Sequence, residues 1–192
     1  MSSVQSATSK VPPRSSARRL VRTALILGGV TLLAAVSWAG YRLWNGAPYP
    51  EVDPNVVGTR LRAEVERVHD DLALTRTAAE GPYRVETGAC YYRGLRGFAH
   101  IDQSRRDVYS FDLDTSTTGV PEAIARTGQE RVRSRLSQQG WKLIGENITS
   151  MGFRFENPDT GDTVDVRWYE PTGTLAVSVF SQCGKVPAGF PG

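Results

Sequence analysis

The period of hydrophobic and polar positions changes along this chain, and each change predicts a different element. Thr23 to Tyr41, TALILGGVTLLAAVSWAGY, is a run of 19 residues without a charge. As a helix it spans about 28 Å, close to the hydrocarbon thickness of a bilayer. Gly28 and Gly29 would weaken a helix in water but are tolerated in lipid, where backbone bonds cannot be traded for solvent. Trp38, Tyr41 and Trp44 collect at its C-terminal end as an interfacial aromatic belt would. The pattern predicts a transmembrane helix over 23–44, followed by a Pro/Gly linker over 45–53.

The next pattern is amphipathic. Asp53 reads as an N-cap and Pro54 as the first helical residue. Val57, Leu61, Val65, Val68 and Leu72 follow at helical spacing, and the helix is expected to run to about Ala79, before Gly81-Pro82. Charged residues, His69 among them, fill the other face. The stripe either packs on its own domain or pairs with a partner helix, and it is too short for a coiled coil. Residues 83–106 read as irregular, with a short strand at Cys90-Tyr91-Tyr92. Asp107 to Leu113 alternates as a strand, Asp114 to Gly119 reads as a loop, and Pro121 opens a helix to about Gln139 with a stripe at Ile124, Val132 and Leu136. Gly140 closes it.

The last third alternates with period two. Phe153 and Phe155, then Val164, Val166 and Trp168, then Leu175, Val177 and Val179 each line one face of a strand. Asn157-Pro-Asp-Thr-Gly161 and Glu170-Pro-Thr-Gly173 carry turn chemistry between them. The second loop sets Tyr169 opposite Thr174, Trp168 opposite Leu175 and Val166 opposite Val177, and the first sets Arg154 opposite Asp165 as an exposed pair. Trp141 to Ile148 adds a fourth strand. The expected fold is α+β: an N-terminal transmembrane helix, then a small antiparallel sheet with a C-terminal meander, covered on one face by about two helices. The folded domain is expected over 54–185, with a flexible tail at 186–192.

Charge fixes the direction of insertion. The net charge is +3, but Lys10, Arg14, Arg18, Arg19, Arg22 and Arg42 make residues 1–44 +6 with no acid. The other 17 basic residues face all 20 acids, so residues 45–192 carry −3. Nucleic-acid binding is not expected, because the basic excess lies off the folded part. The positive-inside rule puts 1–22, a disordered basic tail, in the cytoplasm and the domain outside. Arg18, Arg19 and Arg22 then meet the inner headgroups, and the bilayer is the first expected partner. Ser37-Trp38-Ala39 offers signal peptidase small residues, so release by cleavage is the alternative. The uncharged run exceeds the usual 7–15 residues of a signal peptide, which favours a retained anchor. Both readings put the domain outside the cytoplasm.

That compartment oxidises thiols, and the two cysteines, Cys90 and Cys183, are expected to form one disulfide closing a loop of more than ninety residues. Arg outnumbers Lys by 20 to 3, the codon bias of a GC-rich genome. In layout and composition the chain resembles uncharacterised single-pass membrane proteins of high-GC Gram-positive bacteria; the resemblance implies a bacterial cell-envelope protein and transfers no functional residue.

Motifs for chemistry are sparse, and no cofactor or metal is expected. Asp159-Thr160-Gly161 matches an aspartic-protease triplet, but a hairpin turn accounts for it. Asp112-Leu-Asp114 begins like a calcium loop, yet Thr117 and Ala123 stand where the glycine and the bidentate Glu belong. His69 and His100 have no partner motif, and no nucleophile elbow, zinc helix or phosphate loop is present. The densest basic and aromatic stretch is Tyr91, Tyr92, Arg93, Arg96, Phe98, His100, Arg105 and Arg106. It is the expected interaction surface, for an envelope protein or an anionic polymer. The leading expectation is a non-enzymatic, membrane-tethered interaction or sensing module, and the alternative is a small envelope hydrolase using Asp107, Asp112 or Asp114.

Overall fold

The structure, a computed structural model, describes residues 31–74, 83–147 and 151–191. These divide into two units, one of 31–47 with 93–96 and one of 48–92 with 97–191.

The first unit is helix α1 (31–45) and the short segment held at its end. Every residue from 31 to 44 is exposed, Leu32, Leu33, Val36 and Leu43 included. The Leu95 N–H donates to the Leu43 carbonyl at 3.1 Å, and Arg93 Nη1 donates to the Ala47 carbonyl at 3.4 Å. Gly94 has φ +63°, and a Cβ there would lie 2.4 Å from Gly46 N and 2.6 Å from the Leu43 carbonyl oxygen. Only glycine permits that approach. Among the described residues no helix is long and apolar enough to cross a membrane. The expected span starts at Thr23, and residues 23–30, with the tail at 1–22, lie outside the described residues.

In the second unit α2 (Pro54–Leu72) starts where the sequence predicts, with the Asp53 carboxylate accepting from the Asn55 N–H at 2.8 Å. It ends at Leu72, earlier than expected, because Ala73 turns left-handed at φ 51° and caps it. Ala79 and Gly81-Pro82 lie outside the described residues. β1 (Glu86–Tyr91) is longer than the expected short strand, and one helical turn, α3 (Arg96–Ala99), follows. β2 runs from Ser104 to Thr117, so the expected loop after Asp114 is strand instead. Its residues Asp114 to Thr117 find partners on a later strand, β6 (Thr174–Phe180), with Thr115 opposite Val177 and Thr117 opposite Leu175. α4 (Glu122–Gln138) is followed by β3 (Lys142–Asn147), β4 (Gly152–Glu156), β5 (Thr163–Tyr169), β6 and the two-residue β7 (Gly184–Lys185).

Among the described residues seven strands form one antiparallel sheet in the order β1-β2-β6-β5-β4-β3, with β7 continuing along β2 beyond β6. The α+β class is as expected, and the sheet is larger. The meander register matches the expected one: Arg154 faces Asp165, Val166 faces Val177, Trp168 faces Leu175 and Tyr169 faces Thr174. α2 and α4 cover one face only. The core under them joins Val57, Leu61, Val65, Val68 and Leu72 of α2 to Phe153, Phe155, Val164, Val166, Leu175, Val177 and Val179 of the sheet. The α2 stripe therefore packs on its own domain. Each fully buried Leu or Val there contributes about 1.5–3 kcal/mol. Trp168 closes one end, its indole N–H donating to the Val120 carbonyl at 3.0 Å.

Two expectations about faces need correction. Ile124 does not belong to the α4 stripe and is 49% exposed. Ala125, Gly128, Gln129, Val132 and Leu136 form the buried side instead. His69 is not on a solvated face either: it is buried, with Nδ1 3.1 Å from the Tyr83 hydroxyl and the two rings edge to face.

Cys90 and Cys183 form the expected disulfide, with Cα atoms 6.1 Å apart. The β1–β2 register breaks at Cys90: Ala89 pairs with Tyr109 but Tyr91 with Ser104. Cys183 sits in the gap between β6 and β7. The bond thus ties the two neighbours of β2 to each other. Beyond it the Val186 N–H donates to the Asp107 carbonyl at 3.1 Å, Val186 is buried, and the Phe190 ring packs edge to face on Tyr109 and Phe111.

Candidate functional site

The expected interaction surface is built from two different environments. Within the second unit the rings of Tyr92 and His100 stack with centroids 4.5 Å apart. The Arg105 guanidinium lies 5.8 Å from the Tyr92 centroid and 5.6 Å from that of Tyr49. The Tyr49 hydroxyl donates to the Tyr91 carbonyl. Arg105 also donates twice to Asp107, at 3.0 and 2.6 Å. Hydrogen bonding to Arg105, opposed by burial, holds the Asp107 carboxyl below the usual carboxylate range. Arg93 belongs to the first unit, bonded to Ala47. Arg106 is exposed on β2. Tyr92, His100 and Arg105 are therefore brought together, but the charge of Arg105 is already matched by Asp107.

What projects most from this stretch is apolar. Phe98 is 76% exposed and Ile101 68%, and Tyr91 is also exposed. Tyr91 ends β1, whereas Phe98 and Ile101 are carried by α3 and the two turns after it. The His100 N–H donates to the Gly97 carbonyl at 3.2 Å, the Gln103 N–H to the His100 carbonyl at 3.1 Å, and the His100 ring nitrogen meets Gln103 Oε1 at 2.7 Å. Ile101 has no motif around it, and its only sequence signal is its place in a stretch that holds no acid from Thr87 to Ile101.

The acids considered for catalysis do not converge. A cleft of about 600 Å³ is lined by Glu51, Asp53, Asp107, Lys185 and Val186, and it holds only Asp107 of the three. Asp112 and Asp114 lie on the sheet face away from the helices, with Glu86 opposite Asp112 on β1. Burial first, then repulsion from Asp114 and Glu86, raises the Asp112 carboxyl above its usual value. No group of three or more His, Cys, Asp or Glu among the described residues is arranged to hold a metal ion. Asp159-Thr160-Gly161 is a turn, with Asn157 Oδ1 accepting from the Asp159 and Thr160 N–H groups.

The buried carboxylates were not foreseen, and each is engaged by arginine. Glu64 accepts from Arg67 at 2.5 Å and from Arg135 at 2.9 Å, joining α2 to α4. Asp162 takes a bidentate pair from Arg60, at 2.5 and 2.9 Å. Asp165, expected to be exposed, is only 5% exposed and accepts from both Arg154 and Arg167. Bonds to Asp165 and then Tyr169 raise the Arg167 guanidinium above its ordinary value. Arg60, Glu64, Arg67, Trp141 and Asp162 line a cleft of about 330 Å³. With their oxygens taken by guanidinium groups, these acids hold elements together; a general base needs an oxygen open to the proton it removes.

Comparison of the chain with protein-family models, with curated proteins and with solved structures finds no match.

Proposed function

We propose that this chain is a membrane-anchored, extracytoplasmic interaction or sensing module of a bacterial cell envelope. The observation that carries the reading is helix α1. Every residue from 31 to 44 is exposed, and the only charge among them is Arg42. A helix apolar on all sides needs lipid or another apolar surface around it. It continues the uncharged run that begins at Thr23, and the basic residues before that run favour insertion with the C-terminal domain outside. The Cys90–Cys183 bond supports the same side, because such bonds persist in oxidising compartments. The arginine-clamped carboxylates support binding over catalysis.

Topology is testable directly, because no free cysteine competes for label among the described residues. Thr118 is exposed in the loop after β2. Thr118→Cys in intact cells should react with a membrane-impermeant maleimide; protection until the cells are lysed would reverse the orientation. For function, crosslinking of the tagged chain in its own membranes should recover an envelope protein or an anionic polymer. Recovery of neither would count against an interaction module.

A further inference from the structure

We propose that the α3 tip makes a second, shallow contact with the membrane, with Phe98 and Ile101 inserted among the headgroups of the outer surface. The inference rests on the anchored reading above. Phe98 is the most exposed large apolar side chain among the described residues, at 76%, and Ile101 follows three residues later at 68%. Isolated apolar residues on a surface are ordinary. These two differ in being held on one short hydrogen-bonded tip. α3, the bonds from His100 to Gly97 and from Gln103 to His100, and the stacking of His100 on Tyr92 fix the backbone beneath them. A Cβ on Gly97 would come within 2.9 Å of the Tyr92 carbonyl oxygen, so the turn is closed tightly. The tip therefore presents its apolar groups on a backbone that is already ordered before binding.

Lipid is chosen as the occupant for two reasons. The first is reach. Leu95 is bonded to Leu43 at the C-terminal end of α1, beside Tyr41 and Trp44 of the aromatic belt. Three residues of chain separate Leu95 from Phe98, which limits their separation to about 11 Å however the chain runs. Phe98 cannot leave the neighbourhood of the interface if α1 is in the bilayer. The second is charge. From Thr87 to Asp102 the stretch carries Arg93 and Arg96 against the single acid Asp102, a net positive charge suited to phosphate headgroups. Bulky apolar groups with flanking arginines form the composition of an interfacial contact.

The test uses the full chain reconstituted into vesicles of phosphatidylcholine and phosphatidylglycerol. Single variants Phe98→Cys, Ile101→Cys, Val36→Cys and Thr118→Cys are labelled with an environment-sensitive fluorophore. At 98 and 101 we expect blue-shifted emission, quenched by lipid carrying a shallow nitroxide and protected from iodide. At 36 the deep nitroxide should quench, and at 118 only iodide. Iodide quenching at 98 and 101 with lipid quenching at 36 overturns the second contact and leaves the anchor standing. Iodide quenching at 36 overturns the anchor; if 98 and 101 still respond to lipid, the surface contact survives it, and if they do not, both readings fall. Protection of 98 and 101 in native membranes but not in vesicles assigns the tip to a protein partner and overturns the proposal.

Discussion

Asp107 and Asp112 lie five positions apart on β2 and are driven in opposite directions. Asp107 is lowered by Arg105, so its stabilisation is present above the ordinary carboxylate value and is lost as pH falls through the lowered one. Asp112 is raised by burial, Asp114 and Glu86. The folded state then holds its proton more readily than the unfolded chain. Stability falls as pH rises from the ordinary value through the raised one, and stays lower above it. Asp112→Asn removes that penalty. In urea denaturation its midpoint should exceed that of the natural protein at neutral pH and coincide with it at about pH 2, below the ordinary Asp value. A lower midpoint at neutral pH would contradict the assignment. The alternation of Asp112 and Asp114 is visible in the sequence, but the third acid is not. Glu86 arrives opposite Asp112 only through the pairing of β1 with β2. The same holds for His69, whose burial depends on Tyr83, a residue beyond the end of the helix that carries it.

At the scale of elements, strong side chains were readable and small ones were not. All five stripe residues of α2 are buried, and the meander register follows from its turns. In α4 the apolar spacing points to Ile124, whereas the packing side begins with Ala125 and Gly128, which carry little hydrophobic signal. Gly128 is there for proximity. A Cβ would lie 3.0 Å from the Leu72 Cα and 3.0 Å from its Cδ2, so α4 crosses the end of α2 nearly backbone to backbone. Gly58, in α2, has room: a Cβ would meet its neighbours at 3.6 and 3.7 Å. The two glycines should therefore answer oppositely to alanine. Gly58→Ala gains helix propensity and should stabilise by about 0.5–1 kcal/mol. Gly128→Ala gains the same propensity but must push the helices apart, at about 1–3 kcal/mol, and should destabilise on balance. Thermal or urea midpoints of the two variants decide it, and midpoints moving in the same direction would refute the packing argument.

For the whole molecule, the disulfide was legible from parity and compartment, while its mechanical role was not. The cysteines are 93 residues apart, and they join β1 to the gap between β6 and β7. Chain entropy alone assigns a loop of that length about 4–5 kcal/mol. Replacing Cys90 and Cys183 together by serine should lower the unfolding free energy by that amount, measured by urea denaturation of the full chain in detergent. A marginal domain has only about 5–15 kcal/mol to lose. β7 escaped the sequence because two residues have no period, and Phe98 and Ile101 because exposure is a property of what fails to cover them. β1 and β3 are the terminal strands, and in β3 the step from Leu143 to Gly145 is matched by a single step from Phe155 to Arg154 on β4, so the bulge lies on the terminal strand itself. On the anchored reading proposed above, copies in one membrane meet at high local concentration, where a regular open strand is a template for edge-to-edge aggregation. The bulge at Ile144 breaks that row on β3, so along this edge crowding gives neighbouring copies no continuous seam along which to zip together.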